Sequence, residues 1–206
     1  MIRTAFIYDL DNTIYPVASI GEKLFASLFQ LITESGGHQD NMPAIKDDIM
    51  RKPFQVVAAT WQFSDELTQK GIDLLKDLTY TGDIKPFSDY KEIKNIPGEK
   101  FLVTTGFLNL QLSKIRGMGI EQDFKEIHIV DPTASHKTKK DVFADIMERH
   151  GYTASEVLVV GDDPESEIKA ARDLGIDTVL YDKYNLHPST ISKYKIADFS
   201  ELSALI

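Results

Sequence analysis

The sequence predicts an α/β protein in which a parallel sheet is covered by helices on both faces. Short apolar segments that suit buried strands alternate with helical patterns through the second half of the chain. Such alternation is typical of parallel strands joined by right-handed crossovers. Residues 15–78 instead show helical periodicity without strand-like alternation, so we expect a helical insertion after the first strand.

The first half contains one predicted strand, residues 5–8, followed by the helical insertion. Apolar residues recur at steps of three and four over 24–32, which is typical of an amphipathic helix. Further helices are predicted over residues 43–50, 56–61 and 64–78, the last with Ser64 as its N-cap.

The second half has a regular order of strand and helix. Strands are predicted over residues 101–103, 127–130, 157–160 and 178–181, and helices over 108–118, 139–150 and 166–174. Gly151 and Gly175 follow the last two helices as stop signals. The tail after Asp182 is less regular, and Ser200 is expected to cap a last short helix.

The composition restricts the function classes. A length of 206 residues, 42% of them hydrophobic, suffices for a sizeable core with a modest insertion. The formal net charge of -9 disfavours a nucleic acid polymer or an anionic membrane as partner, because both would be repelled. The absence of cysteine excludes disulfides, thiolate metal sites and a cysteine nucleophile. With no signal-peptide pattern and no bilayer-spanning apolar run, we expect a cytoplasmic enzyme.

Two carboxylates, Asp9 and Asp11, end the first predicted strand, and Thr13 follows two residues later. Side chains alternate along an extended chain, so both carboxylates point to the same side and repel each other unless a cation or proton lies between them. The pair predicts a metal-dependent site in which one Asp attacks phosphorus or carbon and the other transfers protons. Taken alone, it is also compatible with a solvated strand end in which Asp11 caps a helix.

Other polar residues follow three more predicted strands. They are Thr104, Thr105 and Gly106 after the second strand, Lys137 after the third, and Asp162 and Asp163 after the fourth. The carboxyl ends of parallel strands meet at one edge of the sheet, where ligands bind. Each residue alone is equally explained by helix capping or solvation. Together with the two N-terminal carboxylates they supply a nucleophile, a metal site, a hydroxyl, backbone N–H donors and a lysine, as phosphoryl transfer requires.

In this order and spacing the motifs resemble the haloacid dehalogenase superfamily of aspartate-nucleophile hydrolases, over residues 7–175. The superfamily motifs are Asp-x-Asp-x-Thr, a strand ending in Thr or Ser, Lys-Pro-x-Pro-x-x-Phe, and Gly-Asp-x-x-x-x-Asp. They correspond here to Asp9, Asp11 and Thr13, to Thr104, to Lys137 through Phe143, and to Gly161, Asp162 and Glu167.

The lysine motif departs from the family pattern, because Thr138 and Lys140 replace both prolines. Lys139 or Lys140 could therefore take the place of Lys137. We expect Lys137 to reach the site, since it lies six residues before Phe143 as the family spacing requires. Lys139 and Lys140 are expected to face solvent from the first turn of the helix.

The resemblance implies a doubly wound, Rossmann-like sheet with a helical cap domain that closes over the site. The core domain would comprise residues 1–14 and 83–206, and the cap residues 15–82. Substrate identity would depend on the cap. The candidate contact residues there are Tyr15, Arg51, Lys52, Gln55 and Gln62.

The resemblance also implies Mg²⁺ and a set of residue roles. Asp9 would attack phosphorus and become an aspartyl phosphate, while Asp11 would protonate the leaving oxygen and then deprotonate the hydrolytic water. The ion would be held by Asp9, Asp162 and the backbone carbonyl of Asp11. Glu167, which replaces the usual Asp, or Asp163 would act through water or orient the loop. The substrate-binding residues would be Thr13, Thr104, Thr105, Gly106 and Lys137.

Several functions remain open within this interpretation. Superfamily members that remove halide from carbon lack the second carboxylate, so Asp11 favours hydrolysis of a small phosphorylated metabolite. Residues 9–16 are similar to a string in pyrimidine 5'-nucleotidases, which makes a nucleoside monophosphate a candidate substrate. A phosphomutase would use the same residues. A catalytically inert relative is disfavoured by the presence of Asp9, Asp11, Lys137 and Asp162. A receiver-type signalling domain is disfavoured by the position of Asp9 and by the insertion. The oligomeric state is left open.

Overall fold

The strands of the computed structural model, which describes residues 3–188 and 191–206, form one parallel sheet. Six strands are found in these ranges: β1 (Ala5–Tyr8), β2 (Glu99–Thr105), β3 (Glu126–Val130), β4 (Val157–Gly161), β5 (Asp177–Tyr181) and β6 (Tyr194–Ile196). Their order is β3-β2-β1-β4-β5-β6. The chain thus moves outward from β1 on one side and then on the other, so the predicted doubly wound fold is confirmed.

Helices fill the connections and most of the segment between β1 and β2. They are α1 (Gly21–Leu24), α2 (Ala26–Glu34), α3 (Met42–Ile49), α4 (Phe54–Thr60), α5 (Asp65–Lys76), α6 (Tyr90–Asn95), α7 (Leu108–Met118), α8 (Lys139–His150) and α9 (Glu167–Arg172). The predicted helical insertion corresponds to α1 through α5. Ser64 caps α5 as expected, because its side chain accepts the Leu67 N–H at 3.2 Å. In the described part of the chain, no helix is long and apolar enough to cross a membrane.

The central strands are buried on both faces, as parallel strands between helical layers require. Phe6 and Tyr8 belong to one apolar cluster, and Ala5 and Ile7 belong to a second one that includes Phe143 of α8. All four residues of β1 are at most 1% exposed. The polar residues that follow β1 therefore emerge from a fully buried part of the sheet.

Two features near the C-terminus differ from the predictions. The short strand β6 extends the sheet by pairing with β5 in a segment expected to be irregular. The last helix is a 3-10 helix over Phe199–Leu205 whose N-cap is Asp198 and not Ser200. The Asp198 carboxylate accepts the Ser200 N–H at 3.0 Å, and a carboxylate accepts such an N–H more strongly than a hydroxyl does.

Candidate active site

Three of the predicted site residues, Asp9, Thr104 and Asp162, meet at the carboxyl ends of the three central strands. Strand β1 lies between β2 and β4, and its last residue pairs with Leu102 and Val160. Asp9, Thr104 and Asp162 follow these positions by one or two residues, so they lie at the same edge of the sheet. The Asp9 N–H also donates to the Val160 carbonyl at 3.0 Å, which fixes the backbone where β1 ends.

The lysine in this site is Lys139, and not Lys137. The Lys139 Nζ lies 2.6 Å from Asp9 Oδ1 and 2.7 Å from Glu167 Oε2. Its side chain is only 7% exposed. Lys137 lies before α8 and is exposed, as is Lys140. The expectation that Lys139 faces solvent is therefore wrong.

The start of α8 explains why Lys139 reaches inward. Thr138 caps this helix, with its hydroxyl accepting the Asp141 N–H at 3.4 Å and the Asp141 carboxylate accepting the Thr138 N–H at 2.7 Å. This capping box makes Lys139 the first helical residue. Lys139 then lies one turn before Phe143, on the same buried face. The Thr-x-x-Asp pattern and the apolar residue four positions after Lys139 were the sequence signals for this placement.

Glu167 reaches the site because Gly161, at the end of β4, has no side chain in the space that the Glu167 carboxylate occupies. A Cβ atom on Gly161 would lie 2.2 Å from Glu167 Oε1, so a larger residue would displace this carboxylate. Glu167 is 1% exposed, and its Oε1 accepts the Asp163 N–H at 2.7 Å. Its carboxylate thus holds the loop after β4 and also pairs directly with Lys139.

Three carboxylates form a compact cluster in the described part of the chain. Oxygen atoms of Asp9, Asp162 and Glu167 all lie within 4.8 Å of one another. Thr13, predicted to bind substrate, is fully buried and its hydroxyl donates to Asp162 Oδ1 at 3.2 Å. One ammonium group, that of Lys139, faces these three acids, so the cluster retains negative charge when all are ionised. Hard oxygen donors with uncompensated charge fit a divalent cation such as Mg²⁺.

The pKa values in the cluster reflect its burial and crowding. Burial raises the pKa of Asp9 to about 7, with Lys139 opposing the rise and Glu167 adding to it. Burial, assisted by Glu167 and Asp9, raises the pKa of Asp162 well above its usual range. Burial acts to lower the pKa of Lys139, but Asp9 and Glu167 outweigh it and raise that pKa, so the ammonium group stays charged.

Asp11 occupies a second, separate set of contacts. Lys114 Nζ lies 2.8 and 3.2 Å from its two carboxylate oxygens, Gln111 Nε2 donates to it at 2.8 Å, and the Tyr15 hydroxyl donates as well. Burial would raise the pKa of Asp11, but Lys114, Tyr15 and Gln111 together hold it below its usual range. The side chain of Asp11 is therefore held ionised by α7 and by the residues that follow β1.

Sequence reasoning missed Gln111 and Lys114 as parts of the site. Both are almost fully buried, at 1% and 3% exposure. They are spaced three residues apart on α7 and so share one helix face. Their spacing was visible in the sequence, but it is equally typical of a solvated helix face.

The last two residues of β2 and the glycine that follows them line the floor of the site. The Thr104 hydroxyl is buried and accepts from Gln111 Nε2 at 2.7 Å. Thr105 and Gly106 also line the cavity. The Gly106 N–H, however, donates to the Val130 carbonyl at 3.0 Å, so this donor is already occupied. Thr104 and Thr105 remain candidates for phosphoryl contacts.

A cleft that is open to solvent lies between this floor and the helical insertion. Of the predicted cap contacts, Arg51, Lys52 and Gln55 line the cleft. Tyr15 is buried and bonds Asp11, while Gln62 is exposed and is not part of this lining. The site thus joins a charged floor to a separate wall from α3, α4 and the segment between them.

Comparisons with known proteins give a consistent family assignment. The family model described as haloacid dehalogenase-like hydrolase matches residues 6–181. The HAD-hydrolase YfnB of Bacillus subtilis is 30% identical over 106 residues, which cover 50% of this chain and 45% of that protein. A ribulose-1,5-bisphosphate 5-phosphatase of Halopiger xanaduensis is 24% identical, covering 88% and 85%. A glyceraldehyde 3-phosphate phosphatase of Methanopyrus kandleri is 23% identical, covering 85% and 82%.

Solved structures share the fold at low sequence identity. The structure of YfnB from Bacillus subtilis bound to magnesium has a TM-score of 0.61 and 19% identity, covering 100% of this chain and 99% of that one. A haloacid dehalogenase-like hydrolase, SP0104 of Streptococcus pneumoniae, has a TM-score of 0.75 and 16% identity, covering 98% of each chain.

Proposed function

Because the chain belongs to the haloacid dehalogenase-like hydrolases, we propose that it is a magnesium-dependent phosphomonoester hydrolase. The observation that carries this proposal is the pairing of buried Lys139 with Asp9 and Glu167 at the strand ends. A carboxylate nucleophile and an anionic substrate repel each other, and a desolvated ammonium group beside them offsets that repulsion. We further propose residues 15–82 as the cap and 1–14 with 83–206 as the core.

In the first step, an oxygen of the Asp9 carboxylate attacks phosphorus. The bond from phosphorus to the leaving oxygen breaks, and an aspartyl phosphate forms on Asp9. Asp11 passes to the leaving oxygen the proton that it takes from water in the second step of the preceding turnover, so that an alcohol and not an alkoxide departs and Asp11 returns to the ionised form that its contacts favour. Lys139 offsets the negative charge near Asp9, and Thr104 and Thr105 would contact phosphoryl oxygens.

In the second step, water attacks the phosphorus of the aspartyl phosphate. Ionised Asp11 takes a proton from that water, and the bond from phosphorus to the Asp9 oxygen breaks to release inorganic phosphate. The contacts of Asp11 with Lys114, Gln111 and Tyr15 favour the ionised form that this step needs.

The acidic cluster fits the ion that this family implies. Asp9, Asp162 and the backbone carbonyl of Asp11 would hold Mg²⁺, with Glu167 beside them. When bound, the ion supplies positive charge that stabilises the phosphoryl oxygens during transfer.

The substrate is proposed to be a small phosphate ester. The names of the two relatives that align over most of the chain favour sugar phosphates over nucleoside monophosphates. We expect hydrolysis of one or more phosphate esters in a screen that includes both classes, and its loss when EDTA removes the metal, because the carboxylate cluster then remains unscreened. Re-addition of Mg²⁺ should restore turnover. Equal turnover in EDTA would contradict the metal dependence. An isomeric phosphate ester as the product, in place of free phosphate, would favour a phosphomutase.

Asp11→Asn should slow turnover by roughly 10²- to 10⁴-fold, the range that general acid–base catalysis contributes. Asparagine can neither protonate the leaving oxygen nor deprotonate water. With p-nitrophenyl phosphate, whose leaving group needs no proton, the second step alone should be slow, giving a burst of nitrophenolate in stopped-flow measurements. Thermal melting would check that the loss of a partner for Lys114 leaves the fold intact. Turnover at the wild-type rate would remove the proposed role of Asp11.

A further inference from the structure

Gln55 is a polar residue on the cap side of the cleft whose amide lacks a partner. It belongs to α4 and lines the cleft. Its Nε2 atom is buried and has no hydrogen-bond partner within residues 3–188 and 191–206. Buried polar atoms in proteins are almost always hydrogen bonded, because an unpaired one has lost its contacts with water without replacement. Gln55 itself is only partly buried and lines the cleft, so its unpaired amide points to a partner that a ligand supplies once the amide turns toward the cleft.

The cap residues around Gln55 in the cleft are either apolar or exposed cations. The cap residues that share the lining include the apolar side chains Phe25, Ile49, Phe54 and Leu75. The cations on this wall are exposed, and Lys52 already pairs with Asp48 at 2.6 Å. Arg51 and Lys52 are thus suited to attract an anionic ester from solvent, whereas Gln55 offers a directional contact inside the cleft.

The position of Gln55 relative to the floor indicates which part of the substrate it meets. The phosphoryl group is placed at the strand ends, beside Asp9 and Lys139, by the proposed function on which this inference rests. The organic part of the ester, joined to the phosphoryl group, then extends into the cleft toward the cap wall. Gln55 therefore meets the leaving group and not the phosphate.

The chemistry of the amide indicates what that leaving group carries. A carboxamide offers two N–H donors and one carbonyl acceptor, and an alcohol hydroxyl both donates and accepts. We propose that Gln55 binds a hydroxyl group of the leaving group and thereby selects phosphate esters of small polyhydroxylated compounds over alkyl and aryl phosphates. Gln55 is thus a specificity-determining residue of the cap.

Ribitol 5-phosphate and pentyl phosphate test this proposal, because they differ only in hydroxyl groups. The wild-type enzyme should prefer ribitol 5-phosphate. Gln55→Met keeps the length of the side chain and removes both polar atoms. It should lower kcat/KM for ribitol 5-phosphate about tenfold, the equivalent of one hydrogen bond, chiefly through KM. Its kcat/KM for pentyl phosphate and p-nitrophenyl phosphate should stay unchanged.

Gln69→Met is the matched control, since Gln69 is an exposed cap glutamine that bonds Asp73. It should leave kcat/KM unchanged for all three esters. The Gln55 proposal is overturned if the wild-type enzyme shows no preference for ribitol 5-phosphate. It is also overturned if Gln55→Met changes kcat/KM for ribitol 5-phosphate and for pentyl phosphate by the same factor, or changes neither. If the wild-type enzyme hydrolyses p-nitrophenyl phosphate in either case, the phosphatase function stands. Hydrolysis of none of the three esters would overturn both.

Discussion

Replacement of Asp9 by Asn should abolish phosphate ester hydrolysis, with a loss in kcat on the order of 10⁶-fold, as when another hydrolase loses its nucleophile. An amide attacks phosphorus poorly and contributes no negative charge to the metal site. The geometry around the site should survive, because Lys139 keeps its contact with Glu167 at 2.7 Å. Steady-state kinetics with p-nitrophenyl phosphate in saturating Mg²⁺ would measure the loss.

Asp47→Asn provides a matched control for this variant. Asp47 is exposed on α3, so its replacement removes one negative charge without touching the cleft. It should turn over substrate at the wild-type rate. Undiminished turnover by Asp9→Asn, with an unchanged melting temperature, would eliminate Asp9 as the nucleophile.

Replacement of Lys139 by Met should lower kcat/KM by roughly 10²- to 10³-fold, because preorganised charge beside the transferring group is lost. Lys137→Met and Lys140→Met should have little effect, since both lysines are exposed and lie outside the carboxylate cluster. Kinetics on these three variants separate the lysine assigned by the structure from the one expected from the family spacing. A large loss at Lys137 with Lys139→Met near normal would restore the original assignment.

The same substitution should also destabilise the protein. Lys139 and both of its carboxylate partners are at most 7% exposed, and removal of one partner from a buried ion pair costs about 3 to 5 kcal/mol. A double variant, Lys139→Met with Glu167→Gln, removes one of the stranded charges. It should recover part of the free energy of unfolding in urea titrations without recovering activity. Recovery of both together would mean that Lys139 is needed for folding alone.

The fold and the family could be predicted from the sequence because their signals are local. Asp9, Asp11 and Thr13 are contiguous with an apolar strand, and the later strands are apolar runs that end in Thr104 or Asp162. Such patterns survive without tertiary information, since they depend on burial of the strand and on polar residues at its end. The match of the family model over residues 6–181 confirms the predicted resemblance.

The choice of lysine could not be predicted in the same way. Three lysines lie within four residues, and spacing to Phe143 favoured Lys137. The structure follows helix capping instead, because Thr138 and Asp141 start α8 at Lys139 and direct its side chain inward. The contacts of Asp11 with Gln111 and Lys114 were also inaccessible, since they join residues about 100 positions apart through tertiary packing.

The central claim is that catalysis proceeds through a phosphoryl group on Asp9, and a direct measurement uses the Asp11→Asn variant with p-nitrophenyl phosphate. The first step remains possible there while hydrolysis of the intermediate is slow, so the phosphoenzyme should accumulate. We expect acid quenching and peptide mass spectrometry to find one phosphoryl group on Asp9, removable by hydroxylamine as an acyl phosphate is. A phosphoryl group on another residue, or continued turnover by this variant with an unmodified Asp9 peptide, would contradict the account.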